Sequence, residues 1–346
     1  MAGILPDQIP DLVKATQTAL IKKGAFVNLR SDLTDYVGVR ELYKNHQHQF
    51  DGGLDWEFDA QLDDNHSARF VGLYEDDSAA IADSLIKGKV GPRFSDANYV
   101  FDIREKKLNA GQEQVVDFVY TKYCGMIESH WKLLENAVWG KPESSADQRT
   151  PYGIAFWVVR NATEGFSGGN PVGFSDGCAG IDASAFPRWK NYSGAYTAVS
   201  KEDLLKKMRK ASLKTQFRSP VNHAEPTVGG LKNGIYTNIN VLQDLEAILE
   251  AQNMNLGNDL ASKDGRTLFK GRPVIYVPTL DDDSQDPVYM LDWSTLAFGI
   301  VKGWKEHVSS PKQVPNKHTV YAVYLDASLN LICTNRRKQT VFFKNV

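Results

Sequence analysis

The chain has 346 residues, 42% hydrophobic and 24% charged, with a formal net charge of −2. That length suits one elaborate domain or two simple ones of ordinary soluble composition. The small net charge gives no bulk electrostatic case for nucleic-acid binding, and no stretch approaches ~18 continuous apolar residues, so no membrane span is expected. Cys124, Cys178 and Cys333 are widely spaced and odd in number, which argues against a disulfide framework and for a reducing compartment. The first twenty residues lack the basic-then-apolar pattern of a secretory signal.

Residues 1–50 read as an N-terminal segment with one short helix over 11–22, striped by Leu12, Ala15, Leu20 and Ile21. From 54 to 62, Leu54, Trp56, Phe58, Ala60 and Leu62 alternate with Asp55, Glu57, Asp59 and Gln61. Period two of this kind makes a strand with one wet face. Residues 69–74 are its expected partner, 79–86 a short helix ended by Gly88, and 99–108 a further strand.

The strongest helical signal lies between Gly111 and Gly140. Val116, Tyr120, Tyr123, Ile127, Trp131, Leu134 and Val138 recur at steps of three or four, the period of one helix face. Gly140 and Pro142 supply the stop signal. At 1.5 Å per residue such a helix would be roughly 40 Å long.

Residues 141–196 read as irregular, with a strand over 153–159 and a glycine-rich loop over 165–173. Helices are expected over 201–211, with Ser200 as its cap, and over 241–252. Residues 267–269 and 273–277 read as strand, turn, strand. The tail reads as three short antiparallel strands over 319–324, 329–334 and 340–344.

Motifs for chemistry fail on inspection. The 165–173 loop lacks the Lys-Ser/Thr pair of a phosphate-binding loop. The run Asp281-Asp282-Asp283-Ser284-Gln285-Asp286 lacks the glycine and closing Glu of a calcium loop. The seven histidines show no zinc spacing, and Cys178 has no sequence-adjacent base. Arg336-Arg337-Lys338 reads as a basic surface patch. No catalytic, cofactor or metal residues are expected, although a cytosolic enzyme with an unrecognised site stays open as an alternative.

Charge is uneven. Residues 51–77 carry Asp51, Asp55, Glu57, Asp59, Asp63, Asp64, Glu75, Asp76 and Asp77 against one Arg69. Residues 201–218 carry Lys201, Lys206, Lys207, Arg209, Lys210, Lys214 and Arg218 against Glu202 and Asp203. Each run is by default a solvated face, but opposite runs also permit one subunit to meet another. The candidate interface residues are therefore Trp56, Phe58, Asp59, Asp63, Asp64, Glu75, Asp76, Asp77, Lys206, Lys207 and Lys210. Trp189 joins them, within Phe186-Pro187-Arg188-Trp189-Lys190-Asn191-Tyr192, either as a contact anchor or as buried loop packing.

The order of acidic strand arm, long helix and Gly271-Arg272-Pro273-Val274-Ile275-Tyr276-Val277-Pro278 resembles the tailed-bacteriophage major capsid proteins. So do Asn233-Gly234-Ile235-Tyr236, Pro287-Val288-Tyr289-Met290-Leu291-Asp292-Trp293 and the closing Arg337-Lys338-Gln339-Thr340-Val341-Phe342-Phe343-Lys344. The likeness covers about residues 50–346.

It implies an α+β chain with the Hong Kong 97-like shell fold, shared with encapsulins. Residues 1–50 would be an N-terminal arm and 51–109 an extended loop lying on a neighbour. Residues 110–220 would be a peripheral domain with the spine helix 111–139 and an insertion at 141–198. Residues 221–317 would be the axial domain, and 318–346 returning peripheral strands. The implied function is a non-enzymatic shell subunit that forms hexamers and pentamers of an icosahedral phage head around double-stranded DNA. It would be made in the host cytoplasm, with a scaffolding protein, a portal and a decoration protein as partners. An encapsulin-like protein compartment is the alternative.

Overall fold

The computed structural model describes residues 36–45, 47–61, 70–73, 85–104, 112–217, 233–253 and 267–345. The expected helix over 11–22 lies outside them, as does most of the acidic tract beyond residue 61. In chain order the elements are α1 (Val37–Asn45), β1 (Gln47–Phe50), β2 (Trp56–Gln61), β3 (Leu85–Val90), β4 (Arg93–Asp102) and α2 (Gln112–Trp139). Then come α3 (Ile154–Trp157), β5 (Gly165–Gly168), β6 (Asn191–Tyr196), α4 (Leu204–Lys214), β7 (Asn233–Thr237) and α5 (Ile239–Asn253). The remainder is all strand: β8 (Leu268–Phe269), β9 (Arg272–Tyr276), β10 (Val288–Asp292), β11 (Leu296–Val301), β12 (His307–Val308), β13 (Lys312–Gln313), β14 (Val320–Cys333) and β15 (Thr340–Lys344). No helix among the described residues is long and apolar enough to cross a membrane.

The chain divides into two units, and both α2 and β14 run from one into the other. One unit comprises Phe94–Leu134 and Gly303–Ser328. Here the first part of β14 pairs with β12 and β13, and β4 joins the same strand. Phe101 stacks on Tyr321 and Tyr99 meets Tyr123 edge-on, so β4 and this part of α2 share aromatic packing.

The second unit comprises Asp35–Arg93, Glu135–Lys302 and Leu329–Val346. Its main sheet has seven strands in the order β5-β6-β15-β10-β7-β9-β8. Helices α4 and α5 pack on it through Leu204, Met208, Val241 and Leu245, against Tyr192, Ile235, Met290 and Phe342 from the strands. β11 lies between parallel β1 and the second part of β14. Gly153 meets the end of α2 so closely that a Cβ there would lie 2.2 Å from the Ala137 carbonyl oxygen.

Several expectations need correction. Residues 154–157 form a short buried helix, not a strand; a short apolar run carries no period that separates the two. β2 pairs with β3, Trp56 opposite Val90, so 85–86 are strand rather than helix, and the described residues 70–73 are not a strand. The tail has one fourteen-residue strand where two short ones were expected. The chain stays extended through the expected break at 325–328, where Leu325 and Asp326 pair with β12. Asn330 donates to the Gly91 carbonyl at 2.7 Å and accepts the Tyr152 amide at 2.8 Å.

β15 lies between β6 and β10, parallel to β6, and does not pair with the rest of the tail. β6, within the expected insertion, and α4 share one core with β7, β9, β10 and β15. The buried stripe of α2 is also displaced: Met126, His130, Leu134 and Val138 face inward, whereas Tyr120 and Trp131 are exposed.

Candidate assembly surfaces

The β2–β3 hairpin puts its apolar face against its own subunit. Trp56 is buried and stacks on Phe50, ring centroids 4.6 Å apart. Gly299 makes room for it, since a Cβ there would lie 2.3 Å from the indole. Phe58 covers Gly88 and stacks 6.1 Å from Trp189. Trp56 is thus an internal anchor and not an intersubunit contact.

The wet face of the hairpin is a charge ladder. Glu57 lies opposite Lys89, and Asp59 opposite Lys87. Glu57 reaches Lys87 at 3.2 Å and Lys89 at 3.3 Å. Hydrogen bonds from the two ammonium groups hold its carboxyl below the usual range, and Glu57 in turn raises Lys87. The acidic face of β2 therefore finds its countercharge within the hairpin. Asp63, Asp64, Glu75, Asp76 and Asp77 lie outside the described residues.

Several apolar side chains in and near this hairpin are left uncovered by the described residues. Leu54 is 90% exposed, Phe70 105% and Leu73 93%, and Val71 and Leu85 are also exposed. An isolated exposed leucine needs no explanation, but a run of bare large apolar residues in one extended region marks a contact surface. In sequence, 70–73 are expected within a paired strand, which would cover these side chains; the described residues are not a strand and leave them exposed.

The basic run divides on α4. Lys207 is half-buried; it pairs with Asp203 at 2.5 Å and donates to the Ala195 carbonyl at 2.7 Å. It fastens the helix to its own β6, so it does not belong with the intersubunit candidates. Lys210 meets Glu164 at 2.9 Å but stays largely exposed. Lys206, Arg209, Leu213 and Lys214 face outward.

Trp189 is buried, so of its two readings the loop-packing one holds. Arg336 lies over its ring, 5.9 Å from the centroid. That guanidinium, fully buried, donates to the carbonyls of Trp157 at 2.7 Å and Gly169 at 2.9 Å and to Asn191 Oδ1 at 3.3 Å. Arg337 stays exposed, 3.9 Å above the Phe166 ring. Lys338 is partly buried and pairs with Asp292 at 3.4 Å, so of the expected basic surface patch Arg337 alone is exposed among the three.

The carboxylates of 281–286 serve local structure. Asp281 accepts the Ile239 amide, Asp283 accepts from Arg160, and Asp286 pairs with Lys344. Cys178 is fully buried and bonds the Phe156 carbonyl. Among the described residues no three or more His, Cys, Asp or Glu side chains form a metal-sized group.

No protein-family model matches the chain, and no curated protein matches it in sequence. Its fold, however, recurs in solved shells. The capsid subunit of cyanophage A-1(L) superposes with a TM-score of 0.63 at 14% identity, over 95% of this chain and 98% of that one. The capsid of Myoviridae phage XM1 gives 0.54 at 11%, covering both chains fully. The SrpI encapsulin of Synechococcus elongatus gives 0.56 at 10%, over 96% of this chain and 94% of that one. The chain has the Hong Kong 97-like α+β shell fold of phage capsid subunits, which an encapsulin also uses.

Proposed function

We propose that this chain is a major capsid protein, a shell subunit whose copies form the hexamers and pentamers of an icosahedral phage head around double-stranded DNA. The observation that carries the reading is the exposed apolar segment Phe70, Val71 and Leu73, with Leu54 exposed as well, on a chain matched from end to end by shell subunits. Covering that run on a neighbour removes apolar surface from water at about 25 cal/mol per Å². A lattice multiplies each such modest contact. The extended loop would thus lie on an adjacent copy. A scaffolding protein, a portal and a decoration protein are the further partners, DNA contact is weak and non-specific, and the finished location is the virion capsid. The work is mechanical and not enzymatic.

An encapsulin-like compartment is the second reading, because the SrpI shell has a comparable TM-score. Expression of the chain with its neighbouring phage genes, followed by electron microscopy and nuclease treatment of purified particles, separates the two. Shells with nuclease-protected DNA support the phage head; shells with protein cargo and no DNA support the compartment. A chain that stays monomeric with every candidate scaffold overturns both.

A further inference from the structure

We infer that the outward face of α4, together with the adjoining Arg337, is the surface on which the acidic loop of a second copy docks. This deepens the shell reading and rests on it. Lys206, Arg209, Lys210 and Leu213 stand at the spacing of one helix face. The opposite face of the helix is committed to the core through Leu204, Met208 and Ala211. Leu213 is 76% exposed, an apolar side chain set among cations and left uncovered by the described residues. The basic surface continues past α4: Lys210 bonds Glu164, Glu164 accepts the Tyr192 hydroxyl, Tyr192 packs on Phe166, and Arg337 lies over Phe166. Burial and the nearby Arg188 both disfavour the charge on Arg337.

The occupant is read from the chain itself. Residues 51–77 hold nine acidic side chains against one arginine, and in their midst stand Phe70, Val71 and Leu73, exposed in the single subunit. An acidic segment with an apolar centre matches a basic face with an apolar centre. Within one subunit Glu57 is already answered by Lys87 and Lys89. The docking assigns the acids from Asp63 to Asp77, the remainder of the tract, to the neighbour's basic face. Such complementarity fixes the register of a contact and adds salt dependence to it.

The test is a charge swap with cross-link mapping. Lys206→Glu with Arg209→Glu should leave the circular dichroism and melting of the unassembled subunit unchanged and lower particle yield about tenfold, since it juxtaposes like charges across the contact. Adding Glu75→Lys, Asp76→Lys and Asp77→Lys to the same chain should restore particles. In wild-type particles built from isotopically mixed subunits, a zero-length carbodiimide should join Lys206 or Lys214 of one copy to a carboxylate within 63–77 of another. Normal yield from the reversed variant, or intersubunit cross-links from 63–77 that map elsewhere, overturns the docking while leaving the shell standing. Normal assembly with lost DNA protection also overturns it and assigns the face to nucleic acid. A wild-type chain that forms no particle under any condition overturns the shell reading and this inference with it.

Discussion

Glu135, near the end of the long helix α2, accepts the backbone amides of Gly38 at 3.0 Å and Val39 at 2.9 Å. The donors belong to the first turn of α1, so one helix caps the N-terminus of another that lies almost a hundred residues earlier. The Trp139 indole donates to the same carboxylate at 2.7 Å. Burial raises the Glu135 pKa, and the three donors pull it back. Replacement by alanine strands all three and should cost about 3 kcal/mol. The check is a lower denaturant midpoint for the unassembled subunit, with Glu135→Gln losing less because it keeps an acceptor. Gly38→Ala should destabilise by about 1–3 kcal/mol, since its Cβ would sit 2.7 Å from Val138 Cγ1.

Arg336 binds three carbonyl-type oxygens from separate segments, and its role depends on the planar fork of its donors. Lysine cannot reproduce that fork. Arg336→Lys and Arg336→Met should therefore both lose about 3 kcal/mol of stability and much of the soluble yield. Denaturation of each purified variant measures this, and a lysine variant as stable as the parent would count against the fork argument.

His130 is buried on α2, and neither ring nitrogen has a hydrogen-bond partner among the described residues. Burial pushes its pKa below the ordinary value near 6.5, and Glu306 opposes the shift. Between the folded and unfolded pKa the unfolded chain binds more protons. Stability at this site is therefore complete above about pH 6.5 and is lost as pH falls. The melting temperature of the unassembled subunit should drop between pH 7.5 and pH 5.5, and His130→Leu should shrink that drop.

Both Cys178 and Cys333 are fully buried, and burial pushes their pKa values up to about 11 and about 12. Cys124 is partly exposed. A thiol reagent at pH 8 should modify Cys124 alone in the native subunit and all three cysteines after denaturation, because the thiolate is the reactive form. Fast native modification of two or more would show that the core around Arg336 opens.

The sequence alone fixed the features that depend on local periodicity. The long helix is legible in residues 116–138, the wet strand in the alternation of 54–62, and the α4 and α5 helices in their apolar spacing. The resemblance to phage shells was also legible, because element order survives where identity has fallen to 10–14%. What only the tertiary structure decided are choices of partner. β3 pairs with β2, β15 enters the seven-stranded sheet beside β6, and the Asn330 side chain, deep in β14, is satisfied by Gly91 and Tyr152. The same holds for the interface residues: Trp56 and Trp189 are consumed inside the subunit and Lys207 is spent on Asp203, while Phe70 and Leu73 stay bare. A residue's type limits what it can bond, but burial and pairing are set by segments a hundred or more positions away. Those contacts leave no period in the chain to be read.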